Sequence, residues 1–160
     1  MTIKAGDRIP SVTLRQKTSD GIQEVKTDDF FKGKTVVVFG LPGAYTPTCS
    51  AKHLPGFVEK AVDLKAKGVD AIACISVNDA FVMGAWGKDQ GADGKVEMLA
   101  DGSGDFARAI GLELDLTERG MGKRSQRYAM VVKDGVAKTV NVEQAGAFEV
   151  SSADAILKAL

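Results

Sequence analysis

Of the two cysteines in this 160-residue chain, Cys49 has the surroundings of a reactive one. It ends the stretch Gly40-Leu41-Pro42-Gly43-Ala44-Tyr45-Thr46-Pro47-Thr48-Cys49. Upstream, Thr35-Val36-Val37-Val38-Phe39 has the β-branched composition of a buried strand, and downstream a helix is predicted from about Ala51 to Lys67. A loop that leaves a strand and feeds a helix lies at the carboxyl end of that strand, where open α/β sheets place their chemistry. Cys49 then falls at or near the first helical turn, where unpaired backbone N–H groups and the helix dipole favour negative charge. That is a place to make a thiolate. Thr46, three residues earlier across the turn, offers a hydroxyl that can accept from the thiol or bond a bound oxygen; it also fits as a plain turn residue. Pro42 can shape the pocket and exclude water, or simply stiffen the loop. A thiolate also calls for a fixed cation, and arginine suits better than lysine because it stays charged and offers a planar fork. Arg124 and Arg127 stand just ahead of the apolar run Tyr128-Ala129-Met130-Val131-Val132 and are the candidates.

These residues need a scaffold, and the pattern along the chain supplies one. Ser19-Asp20-Gly21 is a turn signal between a short alternating segment at Val12 and Leu14 and a partner strand Ile22–Thr27, which predicts an N-terminal β-hairpin. Residues 27–31 fit a short helical turn capped by Thr or Asp and closed by Gly33. After the strand, the Cys49 loop and the helix, Pro55-Gly56 predicts a kink or break about two turns beyond Cys49. Val69–Val77 is a near-continuous apolar run, as in a buried parallel strand, and Asn78 is the expected N-cap of a helix from Asp79 towards Lys88. Val82-Met83 and Gly84-Ala85-Trp86-Gly87 fit helix packing or a dimer surface. A strand near 96–99, a short helix near 105–110 and a Gly- and charge-rich surface segment with partial helix over 112–126 follow. Lys133-Asp134-Gly135 joins two strands as a hairpin. Ser151-Ser152 caps a last amphipathic helix, 153–160. The order predicts one α/β domain over 1–160, with a mixed central sheet flanked by helices.

The stretch Pro42-x-x-x-Thr46-x-x-Cys49, extended through Ser50, resembles the peroxidatic motif of the peroxiredoxins, in particular the type II group of plants and bacteria and the atypical fifth mammalian subgroup. Tyr45 stands where that group usually has Phe, a change that keeps the ring and adds a hydroxyl. Further blocks carry the likeness: Ala51–Phe57, Ser76–Met83, Asp101–Gly104 and Gly111–Asp115. The segment Arg124–Val132 is similar to the family's second signature, and by position Arg127 matches its arginine. The resemblance implies a thioredoxin-like fold and a thiol peroxidase acting on hydrogen peroxide and alkyl hydroperoxides. Cys49 would be the nucleophile, Thr46 and Arg127 would polarise the peroxide, and Pro42 would shield the pocket. Such chemistry needs no metal, haem or flavin. The resemblance further implies a homodimer, and a sulfenic acid on Cys49 recycled by glutathione with glutaredoxin, or by thioredoxin.

Cys74, among Ala71-Ile72-Ala73 and Ile75, reads as a buried strand thiol, although type II members also carry a second cysteine at this spacing. The resolving cysteine of the mammalian subgroup corresponds here to Ser151. His53, four residues past Cys49 on the same helical face, reads as a capping or packing residue before a catalytic one. With 21 Lys+Arg against 21 Asp+Glu, no net field draws the chain to nucleic acid or an anionic membrane. There is no apolar run of membrane-span length and no signal-type N-terminus, so the expectation is a cytoplasmic protein. The competing classes are a dithiol–disulfide oxidoreductase using a Cys49–Cys74 pair, weakened by the lack of Cys-x-x-Cys, and a non-catalytic binding protein.

Overall fold

The structure, a computed structural model, describes residues 2–160. Its core is a seven-stranded sheet in the order β2-β1-β5-β4-β3-β8-β9. The N-terminal hairpin, β1 (Thr13–Thr18) and β2 (Gly21–Lys26), forms one edge. Strands β3 (Thr35–Leu41), β4 (Ala71–Ser76) and β5 (Glu97–Ala100) run parallel in the middle. The hairpin β8 (Tyr128–Lys133) and β9 (Val136–Val142) closes the other side antiparallel to β3. Its turn has positive φ at both Asp134 (48°) and Gly135 (79°), as the Asp-Gly pair predicts.

The central strands are buried on both faces, which explains their continuous apolar runs. Their alternation still sorts side chains between two cores. Val37, Phe39, Leu41 and Cys74 pack with Phe57, Leu64, Trp86 and Ile156 on one face. Val36, Val38, Ala73 and Ile75 pack with Phe31, Phe106, Ile110 and Tyr128 on the other. The helices covering these faces are α2 (Leu54–Glu59), α3 (Ala61–Ala66), α4 (Ala80–Asp89), α5 (Asp105–Ala109) and α6 (Ala153–Ala159), with a single turn α1 (Thr27–Phe30) between β2 and β3. Trp86 and Met83 are fully buried, so their segment packs α4 on the sheet. No described helix is long and apolar enough to cross a membrane.

Four local expectations are corrected. The first helical turn has no side-chain cap, because Thr27 Oγ1 instead donates to the Pro10 carbonyl and accepts from Val12 N–H. The helix after Cys49 does not break at Pro55-Gly56. A π-helical turn, Cys49–His53, comes first, and Pro55 then sits in the opening turn of α2, a position that proline tolerates. The break falls later, at Lys60 between α2 and α3. The N-cap of α4 is Asp79, accepting from Val82 N–H at 2.8 Å, and this releases Asn78 for another task. Finally, the 112–126 surface segment is helical only in a three-residue 3-10 turn, Thr117–Arg119; most of the rest forms an antiparallel ribbon, β6 (Glu113–Leu116) with β7 (Gly122–Ser125). The ladder comes from pairing across the ribbon, which no local propensity reports.

Candidate active site

Everything expected to act at the site converges on the carboxyl end of β3. Because β8 runs antiparallel to β3, with Gly40 opposite Tyr128, the residue just before β8 arrives where β3 ends. That residue is Arg127. Its Nη2 donates to Cys49 Sγ at 3.1 Å, and its Nη1 lies 2.8 Å from His53 Nδ1. Of the two candidate arginines, Arg127 therefore meets the sulfur. Arg124 serves the loop instead, donating from Nη1 to the Pro42 carbonyl at 3.3 Å and from Nε to Met121 O at 2.9 Å. A Cβ on Gly43 would come 2.7 Å from Arg124 Nη1, so glycine is required for this approach.

Cys49 is fully buried and opens the π-helical turn, with Leu54 N–H reaching back to its carbonyl. The preceding loop is folded on itself: Thr46 Oγ1 donates to Gly43 O at 2.7 Å, and Ser50 N–H bonds Thr46 O at 2.9 Å. The Thr46 hydroxyl thus gives its proton to the loop rather than bonding Cys49, and towards a bound molecule it offers lone pairs. Pro42 is half-buried. Asn78, just past the end of β4, accepts from Ala44 N–H at 2.9 Å and from Ser76 Oγ at 2.7 Å. It ties the loop to the neighbouring strand. Tyr45 takes a left-handed conformation (φ 64°) and donates its extra hydroxyl to Asp89 at the end of α4. Trp86 Nε1 donates to Ser50 Oγ at 3.0 Å, which pins the π-helical turn to α4.

Behind the sulfur, His53 has no exposed surface and lies among Phe39, Phe57 and Phe148. It packs, as expected, but it caps nothing. Its Nε2 is 2.9 Å from Ser151 O, which can only accept, while Arg127 can only donate; the ring is therefore neutral, with its proton on Nε2. Burial, and then the charge of Arg127, push its pKa down to about 3, against a smaller upward pull from the Ser151 carbonyl. The Ser151 position is fixed in turn by Glu143. One oxygen of that carboxylate accepts from the N–H groups of Glu149, Val150 and Ser151 and from Ser151 Oγ. Burial works to raise the pKa of Glu143, but these hydrogen bonds outweigh it and the net shift is downward. Sequence reasoning missed Asn78, Glu143 and the His53–Arg127 bond. Only Asn78 left a signal, a polar residue directly after a buried strand.

The neutral His53 carries a stability consequence. Its folded-state pKa lies below its unfolded value, so the unfolded chain binds the extra proton as pH falls. This contribution is complete above about pH 6.5 and declines by about 1.4 kcal/mol per pH unit towards pH 3. Urea titrations between pH 6.5 and 4 should show a steeper loss in wild type than in His53→Asn, by close to one proton; parallel curves would contradict this. Arg127, Cys49 and the Glu143 carboxylate surround the ring in both proteins, so the difference isolates His53.

Cys74 is a free thiol on β4, opposite Phe39, and fully buried. Burial pushes its pKa well up, the nearby Cys49 charge adds to this, and Arg127 acts against it. A cleft of about 610 Å³ lined by Ser11, Arg15, Asp79, Phe81, Asp101 and Asp105 lies elsewhere and contains none of the site residues. No group of three or more His, Cys, Asp or Glu among the described residues could hold a metal ion.

The site thus brings a buried cysteine under a guanidinium, where a strand of a mixed α/β sheet hands over to a helix. The redoxin family model matches residues 4–157. Peroxiredoxin-2B of Arabidopsis thaliana is 51% identical over 99% of this chain and 98% of its own length. The chloroplastic Peroxiredoxin-2E of the same plant is 50% identical over 99% of this chain and 70% of its own length. Among solved structures, reduced Prx3 of Vibrio vulnificus in complex with hydrogen peroxide superposes with a TM-score of 0.96, at 52% identity and 99% coverage of both chains. The chain belongs to the redoxin family and, within it, to the type II peroxiredoxins, thiol peroxidases of thioredoxin-like fold.

Proposed function

We propose that Cys49 is the peroxidatic nucleophile for hydrogen peroxide and alkyl hydroperoxides, that Arg127 and Thr46 polarise the peroxide, and that Pro42 shields the pocket. The observation that carries this reading is the 3.1 Å bond from Arg127 Nη2 to Cys49 Sγ. It sets a charged donor beside the atom that would be oxidised, where an incoming peroxide would also meet it. The thiolate attacks the nearer peroxide oxygen; the S–O bond forms as O–O breaks, and the electron pair leaves on the distal oxygen. That oxygen takes up a proton to become water or an alcohol, leaving a sulfenic acid on Cys49. Guanidinium N–H groups stabilise the charge that develops during this transfer. Thr46 Oγ1, its proton committed to Gly43, accepts from the protonated oxygen of the incoming hydroperoxide.

Reduction then comes from outside, by glutathione with glutaredoxin or by thioredoxin. Cys74 is a poor resolving thiol, since burial keeps it protonated inside β4. Cys49 is equally buried, so a second thiol reaches it only after the π-helical turn unwinds. The exposed rings of Tyr45 and Phe81, on the active-site loop and the first turn of α4, support a homodimer. Two free thiols suit a reducing compartment, and we place the protein in the cytoplasm. Mass spectrometry after one equivalent of hydrogen peroxide tests the assignment. One added oxygen on Cys49, trapped by glutathione in wild type and Cys74→Ser but absent in Cys49→Ser, is the expected result. Loss of two hydrogens in wild type alone would make Cys74 a resolving cysteine. No modification at Cys49 would overturn the assignment.

A further inference from the structure

We propose that His53, with its proton on Nε2, is the positioning residue for Arg127, and that Glu143 sets its orientation by locking the Ser151 carbonyl. The inference rests on the assignment of Cys49 and Arg127 above. Among the described residues Arg127 has a single hydrogen-bonded fixed point on its charged end besides the sulfur, the 2.8 Å bond from Nη1 to His53 Nδ1. The Phe148 ring, 5.9 Å from Cζ, supports the guanidinium but supplies no lone pair to fix its rotation in plane. With Nη1 held by His53, Nη2 is directed at Cys49 Sγ. Cys49 and His53, the first and last residues of the π-helical turn, both meet the one guanidinium.

The chemical nature of the anchor matters as well. A carboxylate in the place of His53 would hold Arg127 more strongly but draw its charge away from the sulfur and the peroxide. A neutral imidazole holds the guanidinium and leaves its charge available. That requires the lone pair on Nδ1 and the proton on Nε2, and the Ser151 carbonyl imposes this tautomer at 2.9 Å. The carboxylate that fixes Ser151 is kept one residue back, its charge spread over three backbone N–H groups and a hydroxyl. His53 thus separates an anion that organises the chain from the cation that serves the sulfur.

Three substitutions distinguish positioning from packing. Asn can place its oxygen near the position of Nδ1 and keep the acceptor for Arg127. Gln can place its amide nitrogen near Nε2 and keep the bond to Ser151 while losing that acceptor. Phe fills the space and keeps neither. The second-order rate with hydrogen peroxide is measured beside the rate of alkylation by iodoacetamide, which needs the sulfur but no polarised O–O bond. His53→Phe and His53→Gln should lose peroxide rate by about ten- to a hundredfold, the worth of one hydrogen bond to a charged group. They should lose less alkylation rate, and His53→Asn should retain most of both. Glu143→Gln, which removes the charge without removing the side chain, should lower the same peroxide-to-alkylation ratio. Equal rates in all variants, or losses in both reactions that follow melting temperature without regard to side chain, would overturn the positioning role. The tautomer is read independently from the nitrogen chemical shifts of this one histidine in wild-type protein, and a proton on Nδ1 would also overturn it. A wild type without peroxide reactivity would overturn the site assignment itself, whereas an active wild type with unchanged His53 variants overturns only this inference.

Discussion

Arg127→Met is expected to slow the reaction of Cys49 with hydrogen peroxide by about a hundred- to a thousandfold, the loss typical of removing one preorganised donor to a developing charge. Methionine keeps much of the apolar stem but removes both donors, the one on Cys49 Sγ and the one on His53 Nδ1. The histidine is then left with a buried, unpaired acceptor, so folding stability should also fall by about 1–3 kcal/mol. Arg127→Lys should not restore the rate. Its single ammonium cannot reach two acceptors that Arg127 serves from separate nitrogens, at 2.8 and 3.1 Å. The chain carries a built-in reporter for this experiment. Its one tryptophan, Trp86, is bonded to Ser50 in the turn that Cys49 opens, so stopped-flow fluorescence can follow the oxidation. A lysine or methionine variant reacting at nearly the wild-type rate would remove Arg127 from the mechanism.

Gly40→Ala should destabilise the protein by about 3 kcal/mol or more, the upper range for overpacking a closed core. Gly40 is the sixth residue of β3, flanked by β4 and β8, and the ring of Tyr128 lies against it. A Cβ there would sit 2.7 Å from Tyr128 Oη and nearer still to two ring carbons. The ring cannot move aside, because Tyr128 is 1% exposed and sealed in the second core. The strain is between two side chains, so it is testable by a double-mutant cycle. Tyr128→Ala alone should cost about 3–5 kcal/mol through the cavity it leaves. Combined with Gly40→Ala, the total should fall short of the sum by at least about 1 kcal/mol. Urea unfolding of the four proteins measures this, and strict additivity would show that the two residues do not meet. The glycine has a functional side too: it lets the first residue of β8 settle against β3, which leaves Arg127 level with the Cys49 loop.

The parts of the fold that are legible in the sequence are those specified by local chemistry. Asp134-Gly135 needs two left-handed residues and gets them, and the runs Val36–Phe39 and Ala71–Ile75 are apolar without interruption because both faces of their strands are covered. Ser152 caps α6 as its position suggests. Where several local solutions compete, the tertiary structure chooses. Both Asn78 and Asp79 could cap α4; Asp79 does so because Asn78 is taken by Ala44 N–H, a contact across the sheet. Pro55 announced a discontinuity, but the chain runs through it from the π-helical turn into α2, and the break falls at Lys60. The ribbon of β6 and β7 depends on partners about ten residues apart and carries no strong propensity of its own.

The same division holds at the site. The sequence by itself singled out Cys49, the Pro42–Thr46 loop before it and the need for a fixed arginine, because a thiol at a strand-to-helix turn has requirements that can be stated residue by residue. It could not separate Arg124 from Arg127 on chemistry alone, since both precede β8. Strand register decided that: Gly40 opposite Tyr128 sends Arg127 to the sulfur and leaves Arg124 for the loop. Nor could it show that His53, Ser151 and Glu143 form one hydrogen-bonded support, because they come from three segments joined only by packing. Hydrogen bonds between distant segments form where the fold brings donors to acceptors, and only the tertiary structure fixes where that is.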